Sequence, residues 1–208
     1  MKLVDMTVTH FTDVLESDAP APGGGSAASL AGALGSALAA MVCTLTIGRK
    51  KYADYEDFAK ETRDKASALK EKLIAQVDLD TDAFNVIGDA FGMPKETDEE
   101  KAARSAAIQN GLVACVESPL KMLEYSSEAL HLVESMQGKF NVNSASDLGV
   151  AVLELRTAIL GAWLNVKINI GSMKDKELAE SYQKKGQAYV DELVPLADKL
   201  FAEIEAIC

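Results

Sequence analysis

Histidine is almost absent from this chain: His10 and His131 are the only two in 208 residues, and neither sits in a ligand-spaced pair. A zinc site is therefore not expected. Cysteine is hardly commoner. Cys43, Cys115 and Cys208 lie far apart with no Cys-x-x-Cys spacing, which indicates neither a disulfide framework nor a redox pair. Without a partnering histidine, Cys43 and Cys115 read as inert core thiols in apolar runs. The N-terminus lacks a basic stretch followed by an apolar core and cleavage site, so the expected setting is a cytoplasm with reduced thiols. Positive charge is also scarce, with 21 Lys and Arg against 32 Asp and Glu and a net charge of -11. A nucleic-acid partner, which needs a basic stripe to displace counterions, is not expected. A local cluster such as Arg49-Lys50-Lys51 can still attract an anionic substrate, although such a cluster is also an ordinary solvated helix end.

No strand, hairpin, internal repeat or dividing linker shows, whereas helical periodicity and caps recur throughout. With 48% hydrophobic and 25% charged residues, the composition supports one well-filled core. The expected fold is all-α, a single-domain helical bundle over residues 1–208 with a central Ala/Gly-rich helix. A short helix near Val8 to Ser17 leads into a glycine loop, and a small-residue helix runs from about Ser26 to Ile47. A long polar-faced segment, from about Ala53 to Phe91 and either continuous or interrupted, ends at Gly92-Met93-Pro94. Thr97-x-x-Glu100 is a capping box opening the next helix, which should end or kink at Ser118-Pro119. A further helix runs from Pro119 to Gly138. A long apolar helix then reaches Ile170, capped by Ser144 or Ser146. The last helix, from about Lys174 to Ile207, holds Gly186 and Pro195 and is expected to bend.

The uncharged stretch from Ala27 to Leu45 has about the length of a membrane span. Its Ala, Gly and Ser residues enter lipid with little driving force, so a helix packed on all sides is expected in place of a span. Small residues at 28, 32, 35 and 39 let neighbouring helices approach closely.

That helix opens on Pro20-Ala21-Pro22-Gly23-Gly24-Gly25-Ser26. Two prolines fix the entry, the glycines free the backbone, and Ser26 is a good N-cap. Bare N–H groups at a helix start accept an anion, a carbonyl oxygen or a flat polar ring. No strand precedes the run and no Lys-Ser/Thr follows it, so it is not a triphosphate loop. A tight turn before a closely packed helix explains the same residues.

Between Gln76 and Phe91 the helical spacing puts Asp78, Asp82, Asn85 and Asp89 on one wet stripe, and Asp80 with Val77, Phe84, Ile87 and Phe91 on the apolar one. A carboxylate in apolar company is either satisfied by a neighbouring helix or belongs to a site. Asn165 and Asn169, one turn apart among Trp163, Leu164, Val166, Ile168 and Ile170, offer paired donors and acceptors suited to a heterocycle such as a pterin, or to bonding between helices. Asp147 is eighteen residues from Asn165, about 27 Å along a helix. It belongs either to a cap and loop scaffold or to a second site or the far end of a long substrate. Asn141, Asn143, Ser144 and Ser146 form a polar loop that can close over a ligand. Lys51 can hold substrate carboxylates and Tyr52 can stack on a ring, the alternative being surface charge beside a core-edge tyrosine.

As an ordered set, Pro20-x-Pro22-Gly-Gly-Gly-Ser26 with Gly32-Ala33-Leu34, Lys51-Tyr52, Asp80 with Ala83-Phe84, Pro119, Asn141 with Ser146-Asp147, and Asn165-Val166-x-Ile168-Asn169 resembles the cyclodeaminase/cyclohydrolase family of folate enzymes over nearly the whole chain. Phe140 stands where that family usually has Gly before the Asn. The resemblance implies a homodimer and one-carbon chemistry on tetrahydrofolate: hydrolysis of 5,10-methenyltetrahydrofolate, or cyclisation of 5-formiminotetrahydrofolate with loss of ammonia. It implies Asp80 as the acid/base, with Pro22, Gly23, Gly24, Gly25, Ser26, Lys51, Tyr52, Asn141, Asn143, Asp147, Asn165 and Asn169 as substrate-binding residues. No metal or redox cofactor is implied. The absence of a fused formimidoyltransferase domain favours the cyclohydrolase. A non-catalytic helical assembly protein would explain the caps and small residues, but neither the glycine run nor Asp80.

Overall fold

The computed structural model describes residues 2–208. Its α-helices are α1 (Val8–Leu15), α2 (Gly24–Thr46), α3 (Glu56–Gly92), α4 (Asp98–Ser135), α5 (Ala145–Ile170) and α6 (Lys176–Glu205). Short 3-10 turns lie at Leu3–Asp5, Lys50–Tyr55 and Val142–Ser144, and there is no strand among the described residues. The bundle is all-α, as the periodicity predicts.

Small residues set its centre. A methyl group on Gly35 would stand 2.8 Å from Leu155 Cγ and 2.9 Å from the Ala151 carbonyl, and one on Gly161 would stand 2.8 Å from Ala28 Cβ. Only hydrogen-sized groups allow α2 and α5 to lie this close. Residue numbers rise along α2 as they fall along α5, so the two are antiparallel. On another side of α2, Ser29 donates to the Leu73 carbonyl at 2.7 Å and Ser26 to the Val77 carbonyl at 2.9 Å, which docks α3 antiparallel as well. The α4 helix closes on α3 and α5, and α6 covers α5 and α4.

Four expectations are corrected. First, α4 runs unbroken through Pro119, because the carbonyl that proline leaves unpaired, that of Cys115, finds another donor. Second, α3 is one helix from Glu56 to Gly92. Third, Phe84 and Phe91 are 46% and 57% exposed, so the outer half of α3 does not bury a full apolar stripe; Val77 and Ile87 do lie in the core. Fourth, α2 is not packed on all sides. Leu34, Met41 and Leu45 face outward, beside Val150, Leu153, Leu164 and Ile168 of α5. Both helices are long and apolar enough to cross a membrane by composition alone, and about half of each apolar window is buried in the bundle. The capping box at Thr97 forms as read, with the Thr97 hydroxyl accepting from the Glu100 N–H and the Glu100 carboxylate from the Thr97 N–H.

Candidate active site

Gly23, with extended backbone (φ -128°, ψ -162°), is the N-cap of α2, and the helix begins at Gly24. Ser26 is therefore not the cap. It lies one turn inside, fully buried, its hydroxyl bonded to the Val77 carbonyl and 3.4 Å from Thr81 Oγ1. The helix start has no side-chain cap of its own, and its free N–H groups need a partner.

Asp80 of α3 stands at that helix start. Its carboxylate sits directly over Gly25, so close that a methyl group there would overlap both oxygens. Burial pushes the Asp80 carboxyl above its ordinary range, while the Ser26 N–H and hydroxyl act in the opposite direction. The hydroxyl has one proton and the Val77 carbonyl claims it, so the N–H is the steadier partner. The result is a half-buried acid, raised by desolvation and aimed at the positive end of a helix. The sequence assigns these N–H groups to a ligand. The structure sets the protein's own acid at that place, over Gly25.

Two amides of α5 lie at this end of α2. Asn165 comes from α5 opposite Gly24, where a methyl group on Gly24 would meet Asn165 Nδ2 at 3.7 Å. Asn165 Nδ2 donates to the Gly161 carbonyl at 2.9 Å. Asn169 Nδ2 donates to the Asn165 carbonyl at 2.8 Å and to the Cys115 carbonyl of α4 at 3.1 Å. Cys115 is buried beside Asp80, and its thiol donates to the Ala83 carbonyl at 3.2 Å. Burial first, then the Asp80 charge, pushes that thiol up to about 11, so it is no nucleophile at neutral pH. The sequence reading rightly finds an inert thiol but misses its backbone carbonyl as a site element. The only signal was Pro119 four residues downstream.

Asp80, Gly24, Gly25, Ser26, Asn165 and Asn169 thus gather at one end of α2, which the chain enters through buried Pro22 and half-buried Gly23. Lys51, Tyr52, Asn141, Asn143 and Asp147 do not join it. They lie at the opposite end of α2, about 33 Å away along its 23 residues. There Tyr52 is only 7% exposed, and its hydroxyl accepts the Val142 N–H at 3.1 Å. Its ring is covered by Lys51 at 5.4 Å, so it is a loop anchor and not a free stacking platform. Asn141 is also a scaffold residue: its amide donates to the Leu45 carbonyl, its backbone N–H donates to Thr46 Oγ1, and its Oδ1 accepts the Asn143 N–H. The loop follows from Phe140, which is buried in the core with Gly138 taking the positive φ of 73° two residues earlier. Arg49, Lys50, Lys51 and exposed Asn143 line a basic hollow of about 250 Å³ at this end. Asp147 stands in the first turn of α5.

A half-buried acid over a glycine-opened helix start, with two fixed amides at the same end of an all-helical bundle, defines a site for acid–base chemistry on a polar ring. The chain belongs to the formiminotransferase-cyclodeaminase family, whose model matches residues 7–188. It is 39% identical over 200 residues to the methenyltetrahydrofolate cyclohydrolase of Methylorubrum extorquens, with 96% of each chain covered. It is 32% identical over 204 residues to the formimidoyltransferase-cyclodeaminase of Mus musculus, covering 98% of this chain and 38% of that protein. The crystal structure of formiminotetrahydrofolate cyclodeaminase from Thermotoga maritima has the same fold, with a TM-score of 0.81 at 23% identity over 98% of this chain and 96% of that one.

Proposed function

We propose that this chain is an enzyme of one-carbon tetrahydrofolate chemistry and that its reaction is the hydrolysis of 5,10-methenyltetrahydrofolate to 10-formyltetrahydrofolate. The observation that carries this reading is Asp80, a half-buried acid raised by burial and seated over Gly25 at the start of α2, where the neighbouring Gly24 faces Asn165. The amidinium carbon of the substrate is cationic, and an ionised Asp80 favours it by charge. Asp80 takes a proton as water attacks that carbon. The carbon–N5 bond of the tetrahedral adduct then breaks, and the proton passes to N5. The adduct's remaining hydroxyl proton leaves through Asp80 to solvent as the formyl C=O forms, so the cation and water give a neutral product and one H⁺, with no oxidation. The whole-length similarity to the Methylorubrum extorquens protein supports the hydrolytic reading over its alternative.

That alternative is cyclisation of 5-formiminotetrahydrofolate, in which N10 attacks the formimino carbon and protonated Asp80 gives its proton to departing ammonia. It passes through the same bridged tetrahedral carbon, and the family description supports it. Purified protein offered both folates separates the two: loss of methenyl absorbance supports the hydrolase, and turnover of 5-formiminotetrahydrofolate alone supports the deaminase.

We also propose a homodimer in the cytoplasm, where the free thiols of Cys43, Cys115 and Cys208 suit a reducing setting. The apolar face of Leu34, Met41, Leu45, Val150, Leu153, Leu164 and Ile168, with Glu154 at its edge, is what a second copy would cover, with Leu164 64% and Ile168 73% exposed. Antiparallel pairing of two such faces would set the basic Arg49–Lys51 end of one chain beside the Asp80 end of the other. Residues that one chain keeps apart would then serve one long anionic substrate. A Leu164→Glu variant should sediment as a monomer; a wild-type chain that is already monomeric at micromolar concentration contradicts the proposal.

A further inference from the structure

We infer that Pro119 is a positioning residue that commits Asn169 to act as a hydrogen-bond acceptor for an N–H group on the substrate's ring. This rests on the folate reading for the identity of the ring, but its geometry does not. Proline has no N–H to give the carbonyl four residues earlier. In α4 that carbonyl is Cys115's, and it accepts Asn169 Nδ2 from α5 at 3.1 Å. The other hydrogen of the same amide goes to the Asn165 carbonyl at 2.8 Å.

Both neighbours are carbonyl oxygens, which only accept. The Asn169 amide therefore cannot turn over without setting oxygen against oxygen, and its orientation is fixed chemically. Both donors are used, and Oδ1 accepts no hydrogen bond from the described residues. Asn169 thus presents an acceptor alone. Asn165 is different, since Nδ2 spends one hydrogen on the Gly161 carbonyl and keeps its second hydrogen and Oδ1. The pair asks for a ligand edge with N–H facing Asn169 and either polarity facing Asn165. A ring carrying adjacent N–H and carbonyl groups meets this demand, and a ring with only acceptors does not. A proline inside a 38-residue helix is otherwise a liability, and here it frees the carbonyl that aims the amide.

The test is Pro119→Ala, which restores an N–H to compete for the Cys115 carbonyl. Expected are a higher Tm, a KM for 5,10-methenyltetrahydrofolate raised about tenfold with kcat nearly unchanged, and loss of hydrogen-exchange protection at the Asn169 side-chain amide by ¹⁵N NMR. Pro195→Ala is the control, because it makes the same change inside α6, away from the site. It should raise Tm and leave KM and the Asn169 signal alone. Wild-type KM in Pro119→Ala, or an Asn169 amide as protected as before, overturns the proposal. So does a lower Tm with reduced kcat and unchanged KM, which would make Pro119 a packing residue only. If the wild-type protein turns over neither folate, the reaction reading fails. The NMR signal still decides whether Pro119 holds Asn169.

Discussion

Replacing Gly25 by alanine adds a single methyl group at the point where α2 meets the Asp80 carboxylate. Gly25 is not among the positive-φ glycines, so its backbone tolerates alanine, and alanine in a helix gains about 1 kcal/mol over glycine. The methyl group, however, would overlap both Asp80 oxygens, and a side chain with two rotatable bonds yields more readily than two packed helices. Asp80 is expected to swing away from Ser26 by about an ångström or more. A displacement of that size at a reacting group costs about 10²-fold in rate, and full loss of the proton-transfer group 10²–10⁴-fold. Gly25→Ala should therefore keep its Tm within a few degrees while turnover of 5,10-methenyltetrahydrofolate, followed as loss of methenyl absorbance, falls about 10²-fold or more. Gly88→Ala, two turns beyond Asp80 along α3, is the control, since its methyl group meets nothing within 4 Å. Its activity should stay within about threefold of wild type. Near-normal activity in Gly25→Ala, or an equal loss in Gly88→Ala, would refute the reasoning.

Asp80→Asn should lower activity by about two or more orders of magnitude while raising Tm, because it removes a charge that burial disfavours; Asp82→Asn, on an exposed position, should change neither. The acid limb of kcat/KM should lie above the ordinary carboxylate value of 3.8, since the ionised base is lost as pH falls through a raised pKa. The linked stability runs the other way. A carboxyl whose folded pKa exceeds its unfolded one makes the fold more stable as pH drops through that window, and Asp80→Asn should remove this dependence in melting curves. Gly35→Ala should cost about 1–3 kcal/mol by forcing α2 and α5 apart at Leu155 and Ala151, measured by urea unfolding.

The helices were legible because their signals are local. The Thr97 capping box and the small residues at Ala28, Gly32, Gly35 and Ala39 need only neighbours in sequence to be read. Asp80 and the Asn165/Asn169 pair were also legible, since polar groups among apolar ones stand out at helical spacing. What was hidden depends on contacts between helices. Nothing near Pro119 in sequence announces that Asn169, fifty residues on, satisfies the carbonyl it frees, so a break was the natural reading. Ser26 looked like a cap because nothing in the local sequence shows that α2 starts at Gly23 without a side-chain acceptor of its own, under Asp80 of α3. Tyr52 and Asn141 looked like ligand groups because polarity does not reveal that Val142, Leu45 and Thr46 already use them. The outward face of α2 escaped because an uncharged run reads as buried throughout, whereas Leu34, Met41 and Leu45 are exposed.

The central claim is that Asp80 is the proton-transfer group for opening the methenyl bridge. Single-turnover loss of methenyl absorbance, with wild-type and Asp80→Asn protein in excess over 5,10-methenyltetrahydrofolate, isolates that step from binding and release. The account predicts a fast phase for wild type and a phase at least about 10²-fold slower for Asp80→Asn at equal occupancy, while the variant melts at the same temperature or higher. Equal rates in the two proteins would contradict it.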